Sequence, residues 1–240
     1  MIKKERQDRI LEIIKARKYC TVNFLSRQLF VAPITIRRDL TEMEQNGMVT
    51  RSFGGATLPD YENREVPFQV RSKSNPSVKD KIARQAAERI NTGDVVFLDG
   101  SSTVSRMVDY LTPEQELTVV TNSMLIAERL NEKHIRCYLT GGMTVENSHS
   151  LTGRIAEQMV SNMYANVCFF SAQGIDDAGV ISDHSEAETA LRKMMIKHSK
   201  KQYFLVDSSK LGKRFAFRTC DLSDITDIIT DAEHVVFANV

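Results

Sequence analysis

Five short stretches in the second half of the chain gather residues that could hold an anion. They are Asp99-Gly100-Ser101-Ser102-Thr103, Thr121-Asn122-Ser123, Thr140-Gly141-Gly142, Ser171-Ala172-Gln173-Gly174 and Asp207-Ser208-Ser209-Lys210. A phosphate dianion needs backbone amides, hydroxyl donors and a cation, and these stretches offer all three, with Lys210 as the cation. Neither G-x-x-x-x-G-K-[ST] nor G-x-G-x-x-G occurs, which disfavours a nucleotide and fits a smaller phosphorylated metabolite. A second chemistry is open to the same residues. Asp99, Glu186 or Asp207 could act as a base beside a sugar carbon, with Lys210 as electrostatic partner, as an isomerase requires. Ser185 and Glu188 also form an S-x-x-E capping box, which explains part of that acidic cluster without catalysis.

These stretches matter only if a scaffold brings them together, and the runs before them supply one. Strand-like apolar segments fall at Val95 to Leu98, Leu117 to Val120, Ile135 to Leu139, Val167 to Phe170, Gln202 to Val206 and Ile228 to Thr230, most separated by helical stretches such as Lys79 to Ile90. Alternating strand and helix predicts a parallel sheet covered on both faces. In such a sheet the carboxyl ends of the strands line one crevice, so the five stretches are expected to converge there. The first two also open segments with helical spacing, Val104 to Leu111 and Leu125 to Leu130, whose free amides would face the same crevice.

The first 57 residues read differently. They carry eleven Lys and Arg against six Asp and Glu, a surplus of five, whereas the whole chain has a net charge of only +1. Apolar spacing predicts a helix from Glu5 to Arg17, a second capped by Thr21 and ending at Leu29, and a third opened by Pro33 and ended by Gly47. This is a helix-turn-helix, followed by a strand around Arg51 and a Gly54-Gly55 turn, as in a β-wing. On the third helix Ile36, Leu40 and Met43 share one face. Arg38, Ile34, Thr41 and Gln45 lie opposite, with Thr35 and Arg37 on the flanks. A basic module that exposes Arg, Thr and Gln on its recognition helix suits double-stranded DNA.

The runs VAPITIRRDL and RSFGGA resemble the DeoR family of bacterial transcriptional repressors. The match rests on Val31, Thr35, Ile36, Arg37, Arg38, Asp39, Leu40, Arg51, Gly54, Gly55 and Ala56. Ala32 departs from it, standing where the family usually places a serine at the N-cap, a loss typically worth ~1 kcal/mol. The second half is also similar to that family: LDGSST, VVTNS, LTGG, Gly153, SAQGID, the Glu186 region and VDSSK follow its order and spacing. The resemblance implies a sensor domain with a fold like ribose-5-phosphate isomerase and sugar phosphates as effectors. The first loop departs from the family, since Gly100 and Ser101 are exchanged relative to the usual Asp-Ser-Gly.

The expected organisation is α/β: a winged helix-turn-helix over 1–57, a linker over 58–78 partly ordered by Val66, Phe68 and Val70, and an α/β effector-sensing domain over 79–240. Cys20, Cys137, Cys168 and Cys220 lack C-x-x-C spacing and the five histidines are scattered, so reduced thiols, no metal and no cofactor are expected. A charged start and short apolar runs point to a cytoplasmic protein off the membrane. A single winged helix buries too little surface for tight specific binding, so a homo-oligomer, dimer or tetramer, is expected. With a complete DNA reader attached, a sugar-phosphate-responsive regulator is favoured over a sugar-phosphate isomerase carrying a DNA-binding appendage.

Overall fold

A computed structural model describes residues 2–17, 19–52, 54–58, 66–145, 148–232 and 237. The chain divides into two compact units, Met1–Arg71 and Ser72–Val240. Each is taken by itself.

In the first unit, α1 (Lys3–Arg17), β1 (Tyr19–Thr21), α2 (Val22–Leu29) and α3 (Pro33–Gln45) precede the wing strands β2 (Thr50–Ser52) and β3 (Gly55–Thr57). Ile10, Ile14, Leu25, Ile36, Leu40 and Met43 are fully buried and form its core. Thr21 caps α2 by accepting the amide of Phe24 at 3.1 Å. Ala32 at the start of α3 makes no side-chain cap, and Pro33 at the first helical position takes over the start. One element escaped the sequence reading. β1 pairs with β3, making the wing a three-stranded sheet in the order β1-β3-β2. Gly55 is needed there, because a Cβ would run into the carbonyl oxygen of Cys20 on β1.

The expected linker 58–78 is shared between the two units. Leu58 and Val70 pack on the first core and Phe68 is buried. Residues 66–78 hold a short helix, α4 (Phe68–Lys73), and the start of α5 (Pro76–Ala87), whereas Pro59 lies outside the described residues.

The remaining elements of the second unit are β4 (Val95–Leu98), β5 (Thr118–Thr121), α6 (Met124–Glu132), β6 (Arg136–Leu139), β7 (Met143–Thr144), β8 (Leu151–Thr152), α7 (Arg154–Ser161), β9 (Ala165–Phe170), β10 (Gly174–Ile175), β11 (Val180–Asp183), α8 (Glu186–Lys197), β12 (Ser199–Val206), β13 (Phe217–Asp221) and β14 (Asp227–Thr230). Six strands form a wholly parallel sheet in the order β14-β12-β9-β4-β5-β6. Strand residues alternate between two cores. Val96, Leu98 and Phe169 meet α5 and α6 on one face, while Phe97, Cys168 and Phe170 meet α7 and α8 on the other. The order reverses between β4 and β9, so the crevice of this doubly wound sheet opens at their carboxyl ends. Two additions were not expected: an antiparallel sheet β10-β11-β13 and the pair β7-β8. Among the described residues no helix is long and apolar enough to cross a membrane.

Candidate functional sites

Asp99 directly follows β4 at the reversal point and organises the crevice. It is 3% exposed. One carboxylate oxygen accepts the Ser101 amide at 3.1 Å; the other accepts the Ser171 amide at 3.4 Å and Nε of Arg192 at 3.0 Å. The loops after β4 and β9 are thereby fastened to one carboxylate. Arg192, from α8, also donates to Asp183 at 3.1 Å, so one buried guanidinium bridges two buried aspartates. Burial alone would lower its pKa, but these carboxylates hold it charged, above its ordinary value.

The cations lie on either side of this frame. Lys210 Nζ, just after β12, donates to the carbonyl of Ala172 at 2.9 Å, joining the β12 loop to the β9 loop. Asp207 caps the turn that presents Lys210, accepting the Ser209 amide at 3.1 Å. The second cation went unnoticed in the sequence. Lys79, on α5, is 2% exposed and donates to Oγ of Ser102 at 3.3 Å. It shares a helix face with Ile82, Ala83 and Ala86, and a lysine at a core position of an amphipathic helix is the signal that would have found it. Arg192 stands likewise among Glu188, Leu191 and Met195 on α8.

The five stretches do not all converge. The loops after β4, β5, β9 and β12 supply Asp99, Gly100, Ser101, Ser102, Thr103, Asn122, Ser171 and Lys210, all buried apart from Lys210 and with Gly100 and Asn122 lining a small pocket beside Arg192. Thr121 and Ser123 are buried but engaged in local turns, Ser123 capping α6. Gly141 and Gly142 turn the chain from β6 into β7 and pack toward Ile155 and Thr152. Gln173 is buried, whereas Gly174 belongs to β10, backed by Lys213 and Phe215. Glu186 is exposed in the first turn of α8; the carboxylate lining the pocket is Glu188, two residues on. After Thr103 the chain forms a 3-10 helix, Val104–Tyr110, rather than an α-helix, and Ser101 Oγ accepts the Val104 amide at 3.2 Å.

In the first unit Arg37 and Arg38 are exposed on α3, and Thr35 is half-buried. Asp39 points the other way, buried against α1, where it accepts Nε of Arg6 at 2.5 Å and a second guanidinium nitrogen at 3.1 Å. Arg51 on the wing donates to Thr41 Oγ1 at 3.0 Å, and its amide to Glu44 at 2.8 Å, which fixes the wing against α3. Gly54 turns the wing with φ +74°, and its carbonyl accepts the Val22 amide.

Residues 6–62 match the DeoR-like helix-turn-helix domain, and residues 74–232 the DeoR C terminal sensor domain. The chain belongs to the DeoR family. Over 233 residues, 97% of this chain and 90% of the relative, it is 37% identical to the uncharacterized HTH-type transcriptional regulator YulB of Bacillus subtilis. It is 30% identical to the lactose phosphotransferase system repressor of Staphylococcus epidermidis over 96% of this chain and 93% of that one. Ribose 5-phosphate isomerase A of Methanocaldococcus jannaschii, 17% identical, aligns with 57% of this chain and 55% of its own at a TM-score of 0.44. As a member of the DeoR family the protein is a DNA-binding transcriptional regulator and not an enzyme.

Proposed function

We propose that this regulator represses genes of sugar metabolism and is controlled by a phosphorylated sugar held at the carboxyl ends of β4, β9 and β12. The observation that carries this reading is Lys79, a buried lysine on the hydroxyl of Ser102 at the crevice of the parallel sheet. A lysine drawn into the crevice beside a hydroxyl places positive charge where an anion would be held. Lys210 adds a second positive charge, and Ser101, Ser102 and Thr103 add hydroxyl and amide donors. Arg38, Arg37 and Thr35 read or position DNA, Thr21 and Arg51 with the Gly54-Gly55 wing contact its backbone, and a homo-oligomer formed through the second unit reads repeated half-sites.

A thermal-shift panel of sugar phosphates tests the site. A ligand at about 100 times its Kd adds ~2.7 kcal/mol. Lys210→Ala should abolish both this shift and the ligand's effect on operator binding, leaving ligand-free operator affinity intact. A Lys210→Ala protein that responds like wild type overturns the assignment. Steady turnover of the sugar phosphate, lost on the same substitution, would restore the isomerase reading. Sedimentation that finds only monomer at micromolar concentration, with and without DNA, would refute the oligomer.

A further inference from the structure

Two polar atoms in the crevice are left over by the fold, and their chemistry is complementary. Asn122 is 5% exposed and its amide nitrogen donates to the carbonyl of Leu151 at 3.2 Å. That bond fixes the orientation of the side chain, so Oδ1 faces away from Leu151, and among the described residues it has no hydrogen-bond partner. Ser150 is fully buried, and its Oγ is also without a hydrogen-bond partner among the described residues. Both atoms converge on Gly100. A Cβ placed on Gly100 would lie 3.5 Å from Asn122 Oδ1 and would collide with Ser150 Oγ. Gly100 has no positive φ, so the glycine is required here for space rather than for backbone freedom. The segment carrying Ser150 is held in place by the amides of Leu151 and Met124, which donate to the carbonyls of Asn122 and His149.

Native interiors rarely strand two such groups together, and each is costly when left unsatisfied. Asn122 Oδ1 only accepts, so it repels a phosphate oxygen and needs an O–H or N–H. Ser150 both donates and accepts. A sugar hydroxyl can donate to the first and accept from the second. We infer that Asn122 and Ser150, meeting over Gly100, grip one hydroxyl of the sugar and so determine which sugar phosphate the regulator answers to. This rests on the reading of the crevice as a sugar-phosphate site and assigns its sugar end, apart from the cationic end at Lys79 and Lys210.

The test uses the full chain and calorimetric titration with inorganic phosphate, ribose 5-phosphate, glucose 6-phosphate, galactose 6-phosphate and fructose 1-phosphate, then with monodeoxy derivatives of whichever sugar phosphate binds best. Wild type should lose about 25- to 100-fold in affinity for one deoxy derivative, the worth of two net hydrogen bonds. Ser150→Ala should lose about five- to tenfold toward the parent sugar phosphate and discriminate less well against the deoxy derivative, the remaining preference being owed to Asn122 Oδ1. Its affinity for inorganic phosphate should be unchanged. Its melting temperature should not fall, since the lost hydroxyl had no partner. The exchange Gly100→Ser with Ser150→Gly returns a hydroxyl to the same place and should restore discrimination; failure to do so counts against the assignment. Ser150→Ala discriminating as wild type does overturns the inference while leaving the site reading intact. Wild type that binds neither inorganic phosphate nor any sugar phosphate overturns both.

Discussion

Replacing Arg192 with methionine removes the guanidinium that bridges Asp99 and Asp183 but keeps most of the volume of the side chain. All three residues are less than 10% exposed, and the two bonds measure 3.0 and 3.1 Å, so the substitution strands two carboxylates in a dry interior. Breaking a buried pair in this way costs about 3–5 kcal/mol. For a unit the size of residues 72–240 that corresponds to a fall of about 6–20 °C in its melting temperature. Calorimetry should show a destabilised transition for the second unit. The triple variant Arg192→Met, Asp99→Asn, Asp183→Asn, which removes both carboxylates that the guanidinium bridges, should recover much of the loss. A single variant that melts within ~2 °C of wild type, or a triple variant no more stable than the single one, refutes the claim that this arginine holds the crevice together.

Three further outcomes follow from the geometry. Arg38→Ala should weaken operator binding by ~1–3 kcal/mol in gel-shift titrations, with an unchanged melting curve, because the side chain is exposed. Arg51→Ala should lower affinity for all sequences alike and flatten the dependence of log K on log salt by about one. Burial pushes the Cys137 thiol up to about 11 and Cys220 up to about 12, so at pH 8 each of these two thiols should react with a disulfide reagent at least about two orders of magnitude more slowly in the folded chain than in the urea-unfolded chain. Comparable labelling rates at Cys137 and Cys220 in folded and unfolded chain, read by mass spectrometry of their peptides, would refute that burial.

The six parallel strands were legible because each is buried on both faces and reads as a continuous apolar run, as Val95 to Leu98 does. β10 and β11 were not, since Gly174-Ile175 and Val180-Ile-Ser-Asp183 are too short to show a period, and β11 pairs with β13 some forty residues away. β1 was missed for the same reason: three residues whose partner is the distant wing strand. The recognition helix was readable down to single residues, because Ile36, Leu40 and Met43 fix its phase and leave Arg38 outward. In the crevice, the hydroxyl-rich loops with Asp99 and Lys210 were visible as motifs, but the two buried cations on the helices were not. Lys79 and Arg192 lie on helices whose polar residues are otherwise solvated, and only tertiary packing shows that these two point inward. Glu186 was taken in place of Glu188 because a capping motif explains both, and the helix phase that separates them is set by the packing of Leu191 and Met195.

The reversal of strand order between β4 and β9 has a consequence in time. Every element of the winged reader is complete by Thr57, whereas Asp99 must wait for β9 and then for Arg192 before its loop is fastened. At about 5–20 residues per second, a ribosome takes roughly 7–27 s to travel between these points. For that interval each nascent chain carries a finished DNA reader and an unfinished sensor.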